Sequence, residues 1–258
     1  MLILALVIFD IEKNLPNRRV EFYKKCIETF LTVREDRKGA YILSEKAKNI
    51  LGIDSVVPKI AYYKYSHVTE NIGYKFNYDE LKKSVFNAIE VDDEINWGDA
   101  VRQYSEYLVD RTELIREIDE DVLDFAHKTF YEYFLAVYFT KEYENNELID
   151  LLQQWIGDSN NDELARLIIE VIIQKDEPKQ HRAIINYLFD RLQTQNVNSR
   201  LDNRTDIFII IADLYSHNML QPKYHIRYNN TILFYPRYVE IANNFRHRRY
   251  LEIEENRK

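Results

Sequence analysis

Apolar residues spaced three and four apart run through most of this chain, and that spacing is one face of an α-helix. An apolar stretch opens it at residues 1–9, closed by Asp10. Leu15 and Pro16 mark a turn, and Asn17 is placed to cap a helix on which Val20, Tyr23, Ile27, Phe30 and Leu31 share a stripe and which ends near Gly39. Ser44 opens a short helix that Gly52 terminates. The pattern predicts a further helix over 56–68, with Ile60, Tyr63 and His67 on one stripe. Asn77 or Asp79 caps the next, which carries Leu81, Val85 and Ile89. An acidic loop at 91–96 leads to another helix over 97–108.

The period then shortens. Residues 113–117 and 121–125 read as two β-like stretches joined by an acidic turn at 118–120. Helices ending in a small hairpin are the sequence form of a winged helix. A long amphipathic helix is predicted over 128–143, with Phe130, Phe134 and Val137 as its core stripe. Helical segments at 148–156, 163–173 and 183–192 each follow a polar or Pro-containing joint, as paired antiparallel helices do. No fixed-period repeat accompanies them, so a repeat array is not expected. Residues 193–203 are polar and form the best linker candidate, and 205–215 are apolar enough for a buried helix. From Gln221 onward, Tyr, Ile and Leu mix with Pro222 and Pro236 without a clear period, and the charged end at 246–258 is expected to fray. The expected fold is mainly α: a helical bundle with a winged-helix subdomain that contains a short β-hairpin, followed by further paired helices.

Composition agrees. Only five Gly and five Pro occur in 258 residues, too few turn residues for an all-β sandwich. A net charge of -8 sets a low expectation for nucleic-acid or anionic-membrane binding. Cys26 is the only cysteine, which leaves no intrachain disulfide or zinc cluster and suits a reducing, cytoplasmic compartment. Its expected role is that of a small buried apolar side chain. The nine apolar residues at the start are shorter than the ~20 needed to span a bilayer, so they read as a buried helix entered mid-domain.

Recognised catalytic motifs are missing. The five glycines, Gly39, Gly52, Gly73, Gly98 and Gly157, stand alone, whereas a phosphate loop needs two of them flanking four residues before Lys and Ser/Thr. Asp92 and Asp93 lie in a run of acids and read as a solvated loop. His67 has no His or Cys at ligand spacing and is expected to pack rather than bind metal. No catalytic residue and no metal site are expected. The Arg246–Arg249 cluster is the one basic patch, diluted by Glu252, Glu254 and Glu255. A DNA-reading helix at 97–108 would need to be basic, yet Arg102 shares it with Asp99 and Glu106.

His127 differs from these. It stands between a β-like segment and a helix start, followed by Lys128, and a helix N-terminus favours anions. Its surroundings, Phe125-Ala126-His127-Lys128-Thr129-Phe130-Tyr131-Glu132-Tyr133-Phe134-Leu135-Ala136, resemble the segment closing the winged-helix part of NACHT proteins, in the STAND class of signalling ATPases. Phe125, His127, Phe130, Glu132, Phe134 and Ala136 fit that pattern, and Tyr131 stands where Gln is usual. Leu108 to Ile115 resembles the family's Arg-Ser-Gly-Leu-Leu stretch through Arg111 and Thr112, with Glu113 in place of Gly. Leu2 to Ile8 and Leu15-Pro16-Asn17-Arg18-Arg19, with Phe22-Tyr23, resemble the helical domain that follows the ATPase core.

The resemblance covers roughly residues 1–143 and implies a division into the end of an ATPase-associated helical domain (1–52), a winged-helix-like domain (53–143), a helical hairpin region (144–195) and a C-terminal helical extension (196–258). It implies that His127 senses the nucleotide state by touching the phosphates of bound ADP, with Arg111, Phe125, Lys128, Thr129, Phe130 and Glu132 as supporting motif residues. The chain by itself is expected to bind no cofactor. ADP or ATP belongs to a full-length parent, held by a P-loop domain in cis or in trans, and protein ligands or oligomer partners follow from such signalling, which includes antiviral defence. The rival expectation is a free-standing helical adaptor that never meets nucleotide.

Overall fold

The computed structural model describes residues 15–16, 18–38, 53–67, 75–88, 97–112, 114–175, 178–193, 204–216, 226–228 and 231–233. The apolar run at 1–9, the Asn17 cap, the short helix at 44–52, Glu113, the Asp92–Asp93 loop, the 194–203 linker and the Arg246–Arg249 cluster lie outside them. The chain divides into two compact units, Met1–Glu142 and Tyr143–Lys258. The fold is mainly helical, with two small antiparallel hairpins among the described residues. No helix among the described residues is long and apolar enough to cross a membrane.

In the first unit, α1 (Arg19–Lys38) buries Val20, Tyr23, Cys26 and Ile27, one helical stripe. Cys26 has the role its sequence suggested: it is fully buried and carries no disulfide. Helix α2 (Ile53–His67) buries Val56, Val57, Ile60 and Ala61 and packs on α3 (Tyr78–Ala88), which buries Leu81, Val85 and Ala88. Pro58 lies inside α2 and has no N–H to give the Asp54 carbonyl one turn back. Lys141 Nζ donates to that carbonyl instead, at 2.7 Å, and so ties α2 to the last turn of α5 (Lys128–Glu142). Asn77 and Glu80 cap α3 reciprocally: the Asn77 side chain accepts the Glu80 N–H at 2.8 Å and the Glu80 carboxylate accepts the Asn77 N–H at 2.9 Å.

Helix α4 (Trp97–Glu106) runs into a π-helical turn at Tyr107–Arg111 rather than stopping at Leu108. The Thr112 N–H reaches back to the Tyr107 carbonyl at 3.0 Å. Its hydroxyl donates to the Leu108 carbonyl at 2.9 Å and accepts the Leu114 N–H at 3.1 Å, which turns the chain into the hairpin. Strands β1 (Ile115–Asp119) and β2 (Val122–Phe125) pair antiparallel. The expected acidic turn is shorter than its sequence suggested. Ile118 and Asp119 belong to β1, and only Glu120 and Asp121 connect the strands. Asp121 has φ 53°, a left-handed conformation that Asp tolerates through local hydrogen bonding. Phe76, between α2 and α3, exchanges backbone hydrogen bonds with Leu123 at 2.9 and 2.6 Å. The resulting order, helix, single-residue β-bridge, two helices, hairpin, follows the element order of a winged helix.

Helix α5 is not the amphipathic helix expected. It buries Phe130, Tyr131, Glu132, Tyr133, Phe134, Leu135, Ala136, Phe139 and Thr140, most of its circumference, while Val137 is only half-buried. A helix apolar nearly all round has to be surrounded. Tyr62 of α2 stacks on Tyr138 at 4.0 Å, Tyr23 of α1 meets the Tyr133 ring edge at 6.3 Å, and Phe125 of β2 lies 5.4 Å from the Tyr131 ring.

In the second unit, α6 (Asn145–Trp155), α7 (Asp162–Gln174), α8 (Pro178–Gln193) and α9 (Arg204–Ser216) start earlier than the apolar pattern alone indicated. The reasons are local. The Glu147 carboxylate accepts the Glu144 N–H at 2.8 Å, a capping box that draws Asn145 and Asn146 into α6. Pro178 opens α8, where its lack of an N–H is harmless. Gly157, at φ 85°, makes the turn after α6 and donates its N–H to Asp162 at 2.8 Å. Helix α7 buries Leu164, Leu167, Ile168, Ile169 and Ile172. Full burial of a side chain that size is worth about 1.5–3 kcal/mol. Helix α8 packs against α6, α7 and α9. The 196–258 region is not wholly helical: β3 (Ile226–Tyr228) and β4 (Thr231–Leu233) pair antiparallel after α9.

Candidate functional site

The N-terminus of α5 is assembled by β2 and by its own first turn. The last residue of β2, Phe125, is buried against Phe76, Tyr131 and Phe134, and this holds the strand end still. The Ala126 N–H donates to the Leu114 carbonyl at 2.8 Å. His127 is then the residue before the helix, and its ring is exposed. Nδ1 accepts the Thr129 N–H at 3.3 Å and lies 2.8 Å from the Thr129 hydroxyl. The imidazole therefore caps the helix as a Ser or Asp side chain does elsewhere. An amide can donate only to an unprotonated nitrogen, so the ring proton belongs on Nε2, and that N–H makes no hydrogen bond among the described residues.

Burial pushes the His127 pKa below its ordinary value, and the Arg116 guanidinium adds to this by like-charge repulsion. The neutral ring is favoured near pH 7, and it offers the Nε2–H as an outward donor. Arg116, on β1, is exposed and has no ion pair among the described residues. It was not singled out in the sequence. No strand period marks it, because β1 buries only Ile115 and exposes Arg116 through Asp119 alike.

The supporting motif residues do not converge on an anion. Lys128 Nζ pairs with Glu132 at 3.2 Å, one helical turn on, so the ammonium beside His127 is already engaged. Glu132 is buried under that pair. Thr129 holds the His127 ring. Phe130 is buried and presents its ring near the imidazole at 6.3 Å. Phe125 is core. Arg111 closes the π-helical turn, and its side chain lies outside the described residues. The motif thus places one exposed donor on a rigid base.

Two other candidates are settled by geometry. His67 is not packed in the core as expected. It is exposed at the end of α2, with its ring stacked on Tyr63 at 4.1 Å and Nδ1 2.9 Å from the Tyr63 carbonyl. Arg102 on α4 pairs with Glu106 at 2.9 Å and with Asp99 at 3.7 Å, which neutralises the one cation a DNA-reading helix there would use.

Below the hairpin lies a group that the sequence did not signal. Lys64 of α2 is buried, with its ammonium 2.6 Å from Asp124 Oδ1 and over the rings of Phe76, Tyr131 and Phe125 at 4.8, 5.5 and 5.8 Å. Burial lowers its pKa, and Asp124 opposes that shift by hydrogen bond and charge. The pair pins β2 to α2 three residues before His127.

No protein family, no curated protein and no solved structure matches this chain.

Proposed function

We propose that this chain is the regulatory, nucleotide-state-sensing portion of a NACHT-type signalling ATPase, of a kind used in antiviral defence. In this reading the phosphates of ADP are held by a P-loop domain, in cis or in trans, and His127 contacts them. The observation that carries the proposal is the exposed His127 ring, capped back onto Thr129 through Nδ1 with its Nε2–H unengaged among the described residues, within a stretch that resembles the NACHT winged-helix motif. These residues fit a phosphate: a positioned donor at a helix N-terminus, with the Arg116 guanidinium close enough to depress the imidazole pKa.

A contact made in only one state biases the balance of states by its differential affinity. A hydrogen bond to a charged oxygen is worth about 1.5–3 kcal/mol, enough to move populations roughly tenfold or more. Exchange of ADP for ATP then releases the closed state, and protein partners assemble. The sequence contains no phosphate loop, so in this reading nucleotide hydrolysis belongs to the P-loop domain.

A free-standing helical adaptor is the alternative. Phe86 and Ile118, each 49% exposed, are the observation in its favour. Two results test the proposal, and the first separates it from the adaptor. Sequence upstream of this segment in its gene, or in an adjacent gene, should encode Gly-x-x-x-x-Gly-Lys-Ser/Thr. Purified chain should show no nucleotide turnover above background. Hydrolysis that survives rigorous purification, or a locus with no P-loop partner, would count against the proposal.

A further inference from the structure

A cavity of about 320 Å³ opens between α2, the Phe76 β-bridge, α3 and the tip of the β1–β2 hairpin. Neither His127, Thr129 nor Arg116 lines it. One wall is aromatic: Tyr63 and His67 stack nearly parallel at 4.1 Å and 15°. The lining also carries three carboxylates, Glu120 and Asp121 from the hairpin tip and Glu80 from α3. Among the described residues, Glu120 has no ion pair, and Asp121 accepts only a long hydrogen bond, at 3.5 Å from the Tyr78 N–H. Among the described residues, Lys75 is the one lysine in the lining without an ion pair, because the Lys64 ammonium is held by Asp124. Carboxylates therefore outnumber available cations, and α2 ends here, so its C-terminal dipole adds negative potential. A phosphate-bearing ligand is repelled by such a lining.

We propose that this cavity binds a guanidinium group, as carried by arginine. A planar, weakly hydrated cation lies flat on a Tyr–His stack and reaches two carboxylates with its fork of N–H donors, which a compact ammonium does less well. The volume lies at the small end of ligand pockets and suits one side chain or one amino acid rather than a nucleotide. Two sources carry this chemistry, the free amino acid and an arginine within a peptide. Lys75 distinguishes them, because only the free amino acid brings a carboxylate for its ammonium.

The test uses the whole chain, with free L-arginine and N-acetyl-L-arginine amide as probes and N-acetyl-L-citrulline amide as the uncharged isostere. The ring resonances of His67 and Tyr63 are followed by NMR. Saturable shifts are expected from at least one arginine probe, with the citrulline compound weaker by roughly tenfold or more. The tighter arginine probe identifies the source. Glu120→Gln and Asp121→Asn should each weaken binding several-fold while the circular dichroism spectrum stays unchanged, since Asn also tolerates the left-handed backbone at position 121. No saturable shift from either arginine probe, equal binding of citrulline, or full binding by both variants overturns the proposal. None of these results bears on the nucleotide reading.

Discussion

Truncating Lys64 should destabilise the first unit more than any surface substitution. Its side chain is 2% exposed, and the ammonium sits 2.6 Å from Asp124 among three aromatic rings. Lys64→Ala removes a charge-assisted hydrogen bond worth about 1.5–3 kcal/mol and leaves a cavity where the four-carbon stem lay. The Asp124 carboxylate, 28% exposed, is partly rehydrated, which limits the cost of leaving it alone. A total of about 3–5 kcal/mol is expected. Lys64→Met keeps the stem and should cost roughly 2 kcal/mol less. The pair itself is isolated by a double-mutant cycle of Lys64→Met with Asp124→Asn, where a coupling of about 1–3 kcal/mol is expected. Urea unfolding followed by Trp97 fluorescence, in a Trp155→Phe background, reports on the first unit alone. A coupling below about 0.5 kcal/mol, as for an exposed ion pair, would refute the latch.

Other outcomes follow from the same geometry. Cys26 is buried and its thiol is pushed up to about 11, so native protein at pH 8 should resist thiol reagents and react only on unfolding; labelling at the rate of a free cysteine would contradict its burial. His127 should titrate below its ordinary value of 6.5, and Arg116→Gln should raise that midpoint; an unmoved NMR titration curve would remove Arg116 from its neighbourhood. Because the folded state resists protonating His127, the unfolded chain binds the proton first as pH falls through 6.5. Stability is therefore full above that pH and declines below it, until the folded ring also protonates. His127→Ala should shift this profile and, through loss of the cap, cost about 0.5–1 kcal/mol at neutral pH.

Helical period made most of the fold legible, because α2 and α3 each bury one stripe against a neighbour and expose the rest. Where that condition failed, so did the reading. Helix α5 is buried nearly all round, so its polar residues Tyr131, Glu132 and Thr140 simulated an amphipathic face that does not exist. Helix starts were misplaced where a side chain or a Pro, rather than an apolar residue, begins the turn, as at Glu144 and Pro178. The β3–β4 hairpin was missed although Asn229 and Asn230 separate two short runs rich in β-branched and aromatic residues, a turn signal of ordinary strength. At the candidate site, the helix start beside His127 was legible because the period changes there. Arg116 and Lys64 were not, since their roles depend on which strand faces which helix. Lys128 was misleading: its sequence neighbour is His127, but its ion partner is Glu132, one turn along the helix.

Nucleotide release from a P-loop-bearing parent separates a sensing imidazole from a merely capping one. ADP dissociation is compared between wild type, His127→Ala and His127→Asn. Asn keeps the cap on the Thr129 N–H but is too short to carry the Nε2 donor outward. Release roughly tenfold faster in both variants, with stability lost only in the alanine form, is the expected result. Dissociation unchanged in both would mean that His127 holds a helix end and touches no phosphate.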